Sequence, residues 1–199
     1  MKTLPELMQE TAYTTFNIGK TDQNFTSEAT LYPKLKGKWH SLPKNKPFFG
    51  QIQLKGGKTN TKKWPKNRMA DRASAVVPAD YSDNELYREI IAQHYDAIRS
   101  DDEKIGGIFA ALKESGLEDS TIVDYFSDHG TNNLVRHKQI PTEAGLHVPL
   151  IIKGPEKWGP SSKKARNDLV SILDVSATRA TESCNSNSIA VAGRPGVRI

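Results

Sequence analysis

An acidic side chain, an imidazole and a glycine directly follow an apolar run of the sequence, and a second histidine and a lysine come soon after. The run covers residues 121–127 and predicts a β-strand. The chemically capable residues after it are Asp128, His129, Gly130, His137 and Lys138. A carboxylate is a good ligand for a hard divalent cation such as Ca²⁺ or Mg²⁺, and an imidazole can add a nitrogen ligand. Because a lysine suits a bound oxyanion, the pattern indicates a metal and anion site.

The same residues also fit a simpler structure, in which an aspartate with satisfied hydrogen bonds ends the strand. We expect Gly130 to let the backbone turn tightly away from the strand end. His137 can face either the site or the solvent. Spacing alone therefore leaves both interpretations of this segment open.

Strands and helices alternate along the chain in an order typical of an α/β fold. Strands are predicted at 13–20, 47–54, 121–127 and 148–155, and helices at 3–11, 82–116 and from 167 onward. Helices between apolar strands predict a largely parallel sheet that is flanked by helices.

The longest predicted helix has a start signal, an apolar stripe and a stop signal. Ser82 and Glu85 have the spacing of a capping box, and Gly116 suits the position after the helix end. Apolar positions recur at helical spacing, namely Leu86, Ile90, His94, Ile98, Ile105, Phe109 and Leu112. We expect this stripe to face the core, with His94 as a packed histidine.

Polar residues with chemical potential follow three of the four predicted strands. Lys20 and Asp22 follow the first strand, Lys58 follows the second, and Asp128 and His129 follow the third. Because ligands of open α/β sheets bind at the carboxyl ends of the strands, we expect these side chains to lie at one edge.

Composition limits the other classes of function. The length of 199 residues suits one domain, and a net charge of +5 invites a nucleic-acid partner. However, most lysines fall in predicted loops, and no nucleic-acid motif is present, so we expect no nucleic-acid partner. Attraction to an anionic substrate, or plain solvation, explains the charge.

No apolar segment approaches the roughly 20 residues that span a bilayer, and the lone Cys184 allows no disulfide within the chain.

The segment GLEDSTIVDYFSDHGTNNLVRHKQIPTEAGLHVPLIIKGP resembles the second conserved block of the sulfatase family. In that family a TIVxFxSDHG segment leads to a lysine and then to an apolar VPLII strand. YTTFNIGK resembles the first Gly-Lys block of the family, and KPFFGQIQL resembles its PFF strand. The similarity covers roughly residues 4–178.

The resemblance implies a hydrolase of sulfate esters on an alkaline-phosphatase-like α/β fold. The nucleophile of the family is a formylglycine made from the cysteine of Cys-x-Pro-x-Arg, and a divalent cation, usually Ca²⁺, neutralises the sulfate oxygens. The resemblance places metal ligation on Asp128 and His129, sulfate contact on Lys138, and Lys20 near the nucleophile. The implied partner is a sulfated small molecule or glycan.

Several motifs of the family are altered or missing from these 199 residues. Neither Cys-x-Pro-x-Arg nor Ser-x-Pro-x-Arg occurs, and neither does the early Asp-Asp pair. Asp22 stands where many members have a histidine in the Gly-Lys block, and Lys58 stands where many have a substrate-facing histidine. A lysine can contact sulfate but is a poorer proton donor than histidine near neutral pH. The GKWH at 37–40 is interpreted as a coincidence.

The resemblance stops near residue 178, which divides the chain into two predicted parts. Residues 1–178 are expected to be a partial sulfatase catalytic domain without its nucleophile segment and C-terminal subdomain. Residues 179–199 resemble a sequence read out of frame and are expected to be a disordered tail. We therefore expect the 199 residues to form a truncated fragment that lacks sulfatase turnover.

Two other functions remain open alongside the sulfatase interpretation. A phosphoesterase or phosphonate hydrolase of the same superfamily has a threonine or serine nucleophile and extra metal ligands. A non-catalytic remnant that binds anions is the other alternative. Sequence identifies neither the particular sulfate ester nor the oligomeric state, and it leaves the localisation open.

Overall fold

A computed structural model describes residues 2–21, 24, 30–33, 38–42, 45–155 and 165–185. The helices are α1 (Leu4–Glu10), α2 (Glu85–Glu114), α3 (Glu143–Leu146) and α4 (Ile172–Asn185). The strands are β1 (Thr14–Ile18), β2 (Phe48–Ile52), β3 (Val123–Phe126) and β4 (Leu150–Lys153). Short 3₁₀ turns lie at Trp39–Ser41, Gly56–Lys58, Lys66–Arg68, Arg72–Ser74 and Glu118–Ser120.

The described strands form two small sheets with helices between them in sequence, which confirms the mixed α/β class. β1 pairs with β2 in parallel, with Phe16 opposite Gly50 in the register. β3 pairs with β4 in a second two-stranded sheet. The parallel pairing expected for the first two strands is therefore confirmed, while the described strands form two pairs rather than one continuous sheet.

The chain divides into two compact units. The first comprises the described parts of Met1–Gln53, Ala111–Asp124 and Ile152–Ile199, and the second comprises Leu54–Ala110 and Tyr125–Ile151. Among the described residues, no helix is long and apolar enough to cross a membrane.

An aromatic cluster forms the centre of the first unit. Phe16 of β1 is 2% exposed, and its ring lies 6.1 Å from the rings of both Trp39 and Phe48. The ring of Phe16 also lies directly over Gly50, where an added Cβ would overlap it. A glycine at this position of β2 is therefore required by the close packing of the Phe16 ring.

The first helix is fixed at its start by a capping box. Thr3 and Glu6 exchange hydrogen bonds between side chain and backbone, and Pro5 occupies the first turn, where its missing N–H costs nothing. Met8 on the inner face of α1 is 1% exposed. The helix α1 contacts β1 and α4 within the first unit.

The start of α2 differs from the predicted capping box, whereas its end is confirmed. The amide of Tyr87 donates to the side chain of Asn84 at 3.0 Å, so Asn84 rather than Ser82 is the N-cap. At the other end, Gly116 has φ 69°, and the Leu117 amide donates to the Leu112 carbonyl at 2.9 Å. This is the Schellman arrangement, which satisfies carbonyls that the helix end leaves free.

The buried face of α2 follows the predicted apolar stripe only in part. Leu112 of that stripe is 2% exposed, whereas Leu86 and Ile98 are 64% and 51% exposed. The other buried positions of the helix are Ile91, Ala92, Asp96, Ala97, Ser100 and Asp101. Asp96 accepts a hydrogen bond from the Ala70 amide at 2.8 Å, so the second unit buries an acid because backbone donors of the preceding segment satisfy it.

A buried ion-pair network joins α4 to β3 in the first unit. Arg179 donates to both carboxylate oxygens of Asp124, at 2.8 and 2.7 Å, and to Glu182 at 2.7 Å. Burial lowers the pKa of Arg179, but the two acids outweigh it and the pKa is raised. The helix therefore continues past residue 178, where the sequence predicts the domain to end. Residues 186–199 of the predicted tail lie outside the described residues, and their disorder stays a prediction.

Two glycine-to-alanine substitutions should change stability in opposite directions. Gly50→Ala places a methyl group into the Phe16 ring, so we expect it to lower the free energy of unfolding by about 1–3 kcal/mol. Gly106→Ala lies in α2 with no atom within 4 Å of the new Cβ, so it should raise stability by up to about 1 kcal/mol. Urea denaturation of both variants measures the difference, and equal effects would contradict the packing described for Phe16.

Candidate functional site

The end of β3 presents an acid and an imidazole next to each other in the second unit. Asp128 has an 84% exposed side chain, and its Oδ1 lies 3.7 Å from Nε2 of His129, whose side chain is 26% exposed. The Ser127 hydroxyl donates to the His129 carbonyl at 2.7 Å and holds the turn. The strand therefore ends with two donor atoms that face one another and remain open to solvent.

The tautomer of His129 is fixed by its own backbone. Nδ1 of the ring lies 2.5 Å from the Gly130 carbonyl oxygen. A carbonyl only accepts, so Nδ1 carries a proton, and in the neutral ring Nε2 keeps its lone pair. That lone pair is on the nitrogen nearest Asp128, which is the arrangement a metal-binding histidine requires.

Gly130 is required by close packing and not by a left-handed turn. Its amide donates to the Gly145 carbonyl at 3.2 Å, and an added Cβ would overlap the Ala144 carbonyl oxygen. An added Cβ on Gly145 would in turn crowd the His137 carbonyl oxygen at 2.6 Å. The sequence rightly indicates a glycine with a backbone role, but the role is contact between the turn and α3.

His137 and Lys138 lie between two residues with left-handed backbone conformation. Arg136 has φ 64° and Gln139 has φ 65°, although neither is a glycine. Such conformations cost energy and persist where surrounding contacts enforce them. The Thr142 hydroxyl donates to the Arg136 carbonyl, which is one such contact. The loop therefore holds His137 and Lys138 in a defined turn.

His94 lies at this loop, which the sequence did not indicate. Its Nδ1 is 3.3 Å from the Thr131 hydroxyl and 3.4 Å from the position of a Cβ on Gly57. Burial, and next the charge of nearby His137, lower the pKa of His94. The prediction of a packed histidine missed this contact because only the fold brings the loop after β3 to α2.

Tyr81 supports the same loop from the segment before α2. Its hydroxyl donates to the Val135 carbonyl, and its ring centre lies 6.1 Å from that of His137. Burial, followed by the charge of Asp80, raises the pKa of Tyr81. The hydroxyl of Tyr81 is therefore protonated near neutral pH and can donate its hydrogen bond there. No sequence signal identified this residue.

Five of the seven predicted site residues belong to the second unit. They are Lys58, Asp128, His129, His137 and Lys138. Asn133 of the β3 loop donates to the Gly57 carbonyl at 3.4 Å, which ties the turn that carries Lys58 to the loop that carries Lys138. Lys20 belongs to the first unit, and Asp22 lies outside the described residues. Among the described residues, no group of three His, Cys, Asp or Glu side chains can hold a metal ion.

Comparisons with known proteins agree on one family. A family profile described as Sulfatase matches residues 38–181. The ulvan-active sulfatase of Formosa agariphila is 22% identical over 89% of this chain and 36% of its own length. Arylsulfatase K of Bos taurus is 36% identical over 46% of this chain and 17% of its own length. The chain thus spans about a third or less of these curated relatives, and no solved structure matches it.

The lowered pKa of His94 predicts an acid-sensitive fold. Below the ordinary histidine pKa of about 6.5, His94 binds a proton in the unfolded chain but remains neutral in the folded chain. The free energy of unfolding should therefore fall as the pH drops from about 6.5 toward the pKa of folded His94. In His94→Gln this part of the pH dependence should disappear. Urea denaturation of the wild-type chain and of His94→Gln between about pH 7 and pH 5 measures this pH dependence.

The matched control is His147→Gln, which removes an exposed histidine from the end of α3. This variant should keep the pH dependence of the wild-type chain. A pH dependence that survives in His94→Gln, or disappears in both variants, would contradict the assignment to His94.

Proposed function

Because the chain belongs to the sulfatase family, we propose that it supplies part of a site for the hydrolysis of sulfate esters. Asp128 and His129 are the proposed ligands of a divalent cation, and Lys138 is the proposed sulfate contact. The observation that carries the proposal is the pair of open donor atoms at the end of β3, 3.7 Å apart, with the histidine tautomer already set for ligation.

The donor pair fits a divalent cation in spacing and chemistry. Two atoms 3.7 Å apart can both reach one cation at bond lengths of about 2.3–2.6 Å. When bound, a cation such as Ca²⁺ would neutralise negative charge on the sulfate oxygens. Two protein ligands are few for this purpose, so the remaining ligands would come from residues outside this pair.

Lys138 and His137 follow the donor pair on the same loop and are proposed to face the substrate. An ammonium group is a compact charge with three donors, which suits a sulfate oxygen. The left-handed residues on both sides of the two side chains fix the turn that presents them. A preset turn reduces the entropy that is lost when the anion binds.

Lys58 is proposed to add positive charge beside the loop that carries Lys138, and Lys20, which belongs to the first unit, is proposed by itself as a contact of the nucleophile. Lys58 ends the 3₁₀ turn Gly56–Lys58, whose Gly57 carbonyl accepts from the β3 loop. Lys20 follows β1 directly after Gly19, which has φ 105°. Asp22 stays a proposed contact of the substrate.

The catalytic nucleophile of the family has no counterpart within these 199 residues. They contain neither Cys-x-Pro-x-Arg nor Ser-x-Pro-x-Arg, so no residue here can become the formylglycine. We therefore propose that residues 1–178 form part of a catalytic domain and that the isolated chain binds without turnover. The proposed substrates are sulfated small molecules or glycans.

With an aryl sulfate and Ca²⁺, the purified wild-type chain should release no more phenol than the Lys138→Ala variant. The physical reason is the missing covalent step, which positioning and a cation cannot replace. Product absorbance measures turnover, with an aryl phosphate as the parallel substrate. Turnover clearly above the Lys138→Ala level would show that another residue serves as the nucleophile, and turnover of the phosphate alone would favour a phosphoesterase.

Binding should be detectable without turnover. Calorimetric titration should give a Ca²⁺ affinity weaker than micromolar, because the chain offers two ligands where sensor proteins use six or more. Asp128→Asn should weaken it by at least about tenfold. With Ca²⁺ present, Lys138→Ala should weaken inorganic sulfate binding by about tenfold, the value of one charged hydrogen bond.

The controls are Asp80→Asn and Lys113→Ala, which remove exposed charges elsewhere on the chain. Each should leave the two affinities unchanged. If the control variants lost as much affinity, net charge rather than the proposed residues would determine binding, and the proposed site would be contradicted. Micromolar Ca²⁺ affinity would show that more than two ligands come together.

A further inference from the structure

The second unit contains a strongly basic segment that the site accounts for only in part. This basic segment covers residues 55–68. Its fourteen residues carry six cations and no acid. The cations are Lys55, Lys58, Lys62, Lys63, Lys66 and Arg68.

The basic segment has a defined conformation. It contains the 3₁₀ turns Gly56–Lys58 and Lys66–Arg68, and Thr61 between them is 3% exposed. The Trp64 amide donates to the Thr61 carbonyl at 2.9 Å. At the far end, Arg68 donates to both carboxylate oxygens of Glu103 in α2, at 2.7 and 2.5 Å. The lysines therefore project from a segment that is anchored at its middle and at its end.

The five lysines of the segment are exposed. In the part of the chain that the structure describes, Arg68 alone among the six cations has an acidic partner. Electrostatic interactions at physiological ionic strength are screened over about 8 Å. Any of these lysines that lies farther than this from a bound sulfate group adds little to its binding. Their charges are useful only to a ligand with several charges of its own.

The basic segment starts at the proposed site. Lys58 is both a member of the segment and a proposed substrate contact, and the Gly57 carbonyl accepts from Asn133 on the β3 loop. A ligand that reaches the loop with Lys138 can therefore continue along the lysines toward Lys66. A ligand of this kind is a chain with repeated negative charges.

We propose that the basic segment binds a sulfated polysaccharide chain, of which one sulfate ester is held at the site and the neighbouring sulfates lie along Lys62, Lys63 and Lys66. This inference rests on the proposed function and narrows its substrate class from any sulfate ester to a polyanionic glycan. Release of condensed counterions from the polyanion supplies the binding free energy, as it does for nucleic acids.

A nucleic acid is the less suitable polyanion for this surface. Single strands are bound by stacking bases on aromatic rings. The one aromatic ring of the segment, Trp64, has a face covered by the Arg68 guanidinium, whose centre lies 4.0 Å from the ring centroid. The segment also contains no helix that could enter a groove. It therefore offers charge without the means to read or stack bases.

The test measures binding of the full chain to dextran sulfate, unsulfated dextran and duplex DNA between about 50 and 200 mM NaCl. The test variant combines Lys62→Gln, Lys63→Gln and Lys66→Gln. The matched control combines Lys38→Gln, Lys46→Gln and Lys113→Gln, which removes the same charge from exposed lysines elsewhere. Thermal unfolding confirms that both variants are folded.

Wild-type chain should bind dextran sulfate and not dextran. The test variant should bind at least tenfold more weakly. Its negative slope of log affinity against log salt should be smaller in magnitude by about two to three, by analogy with nucleic acids. Equal loss in the control variant, or DNA binding as tight as that of dextran sulfate, would overturn the proposal. Sulfate binding that depends on Lys138 is measured separately, so failure of the site and failure of the basic segment give different results.

Discussion

The close backbone contact between Gly130 and the turn at Ala144 and Gly145 is the constraint on which the candidate site depends. No side chain fits between these backbones, since a Cβ on either glycine would crowd a carbonyl oxygen. The contact closes the loop between β3 and α3 and thereby fixes where His137 and Lys138 stand. It also leaves the Gly130 carbonyl available to His129, so the same glycine determines the loop and the tautomer of the proposed ligand.

The sequence predicted the elements better than it predicted their packing. All four strands and the start of α1 lie inside the predicted segments, because β-rich apolar runs and helical periodicity are local signals. The apolar stripe of α2 was only partly right, since Leu112 is buried but Leu86 and Ile98 are exposed. Asp96 is buried because the Ala70 amide satisfies it, and a partner 26 residues away leaves no trace in a periodicity. The N-cap was wrong by two residues, since the Tyr87 amide donates to Asn84 and not to Ser82.

The candidate site was predictable where its residues are neighbours in sequence. Asp128 and His129 lie together at the end of β3, and Lys138 follows on the same loop, as the pattern indicated. The supporting residues Tyr81 and His94 were not predictable as such, since each reaches the loop across more than thirty residues. Their side chains hold the loop without carrying a recognisable motif. The roles of the site residues themselves remain proposals.

Two kinds of electrostatic environment coexist in the second unit, and their difference has a physical cause. On α2, the buried acid Asp96 accepts a hydrogen bond from the Ala70 amide, and the buried acid Asp101 pairs with Lys104, so both carboxylates have partners within the fold. The lysines of the basic segment are exposed and unpaired among the described residues, so their repulsion is unrelieved until an anion arrives. Asp128 is likewise exposed and is proposed to bind a cation. The two proposed ligands would then support each other, because the cation would neutralise the charge of Asp128 and the polyanion would neutralise the charge of the lysines.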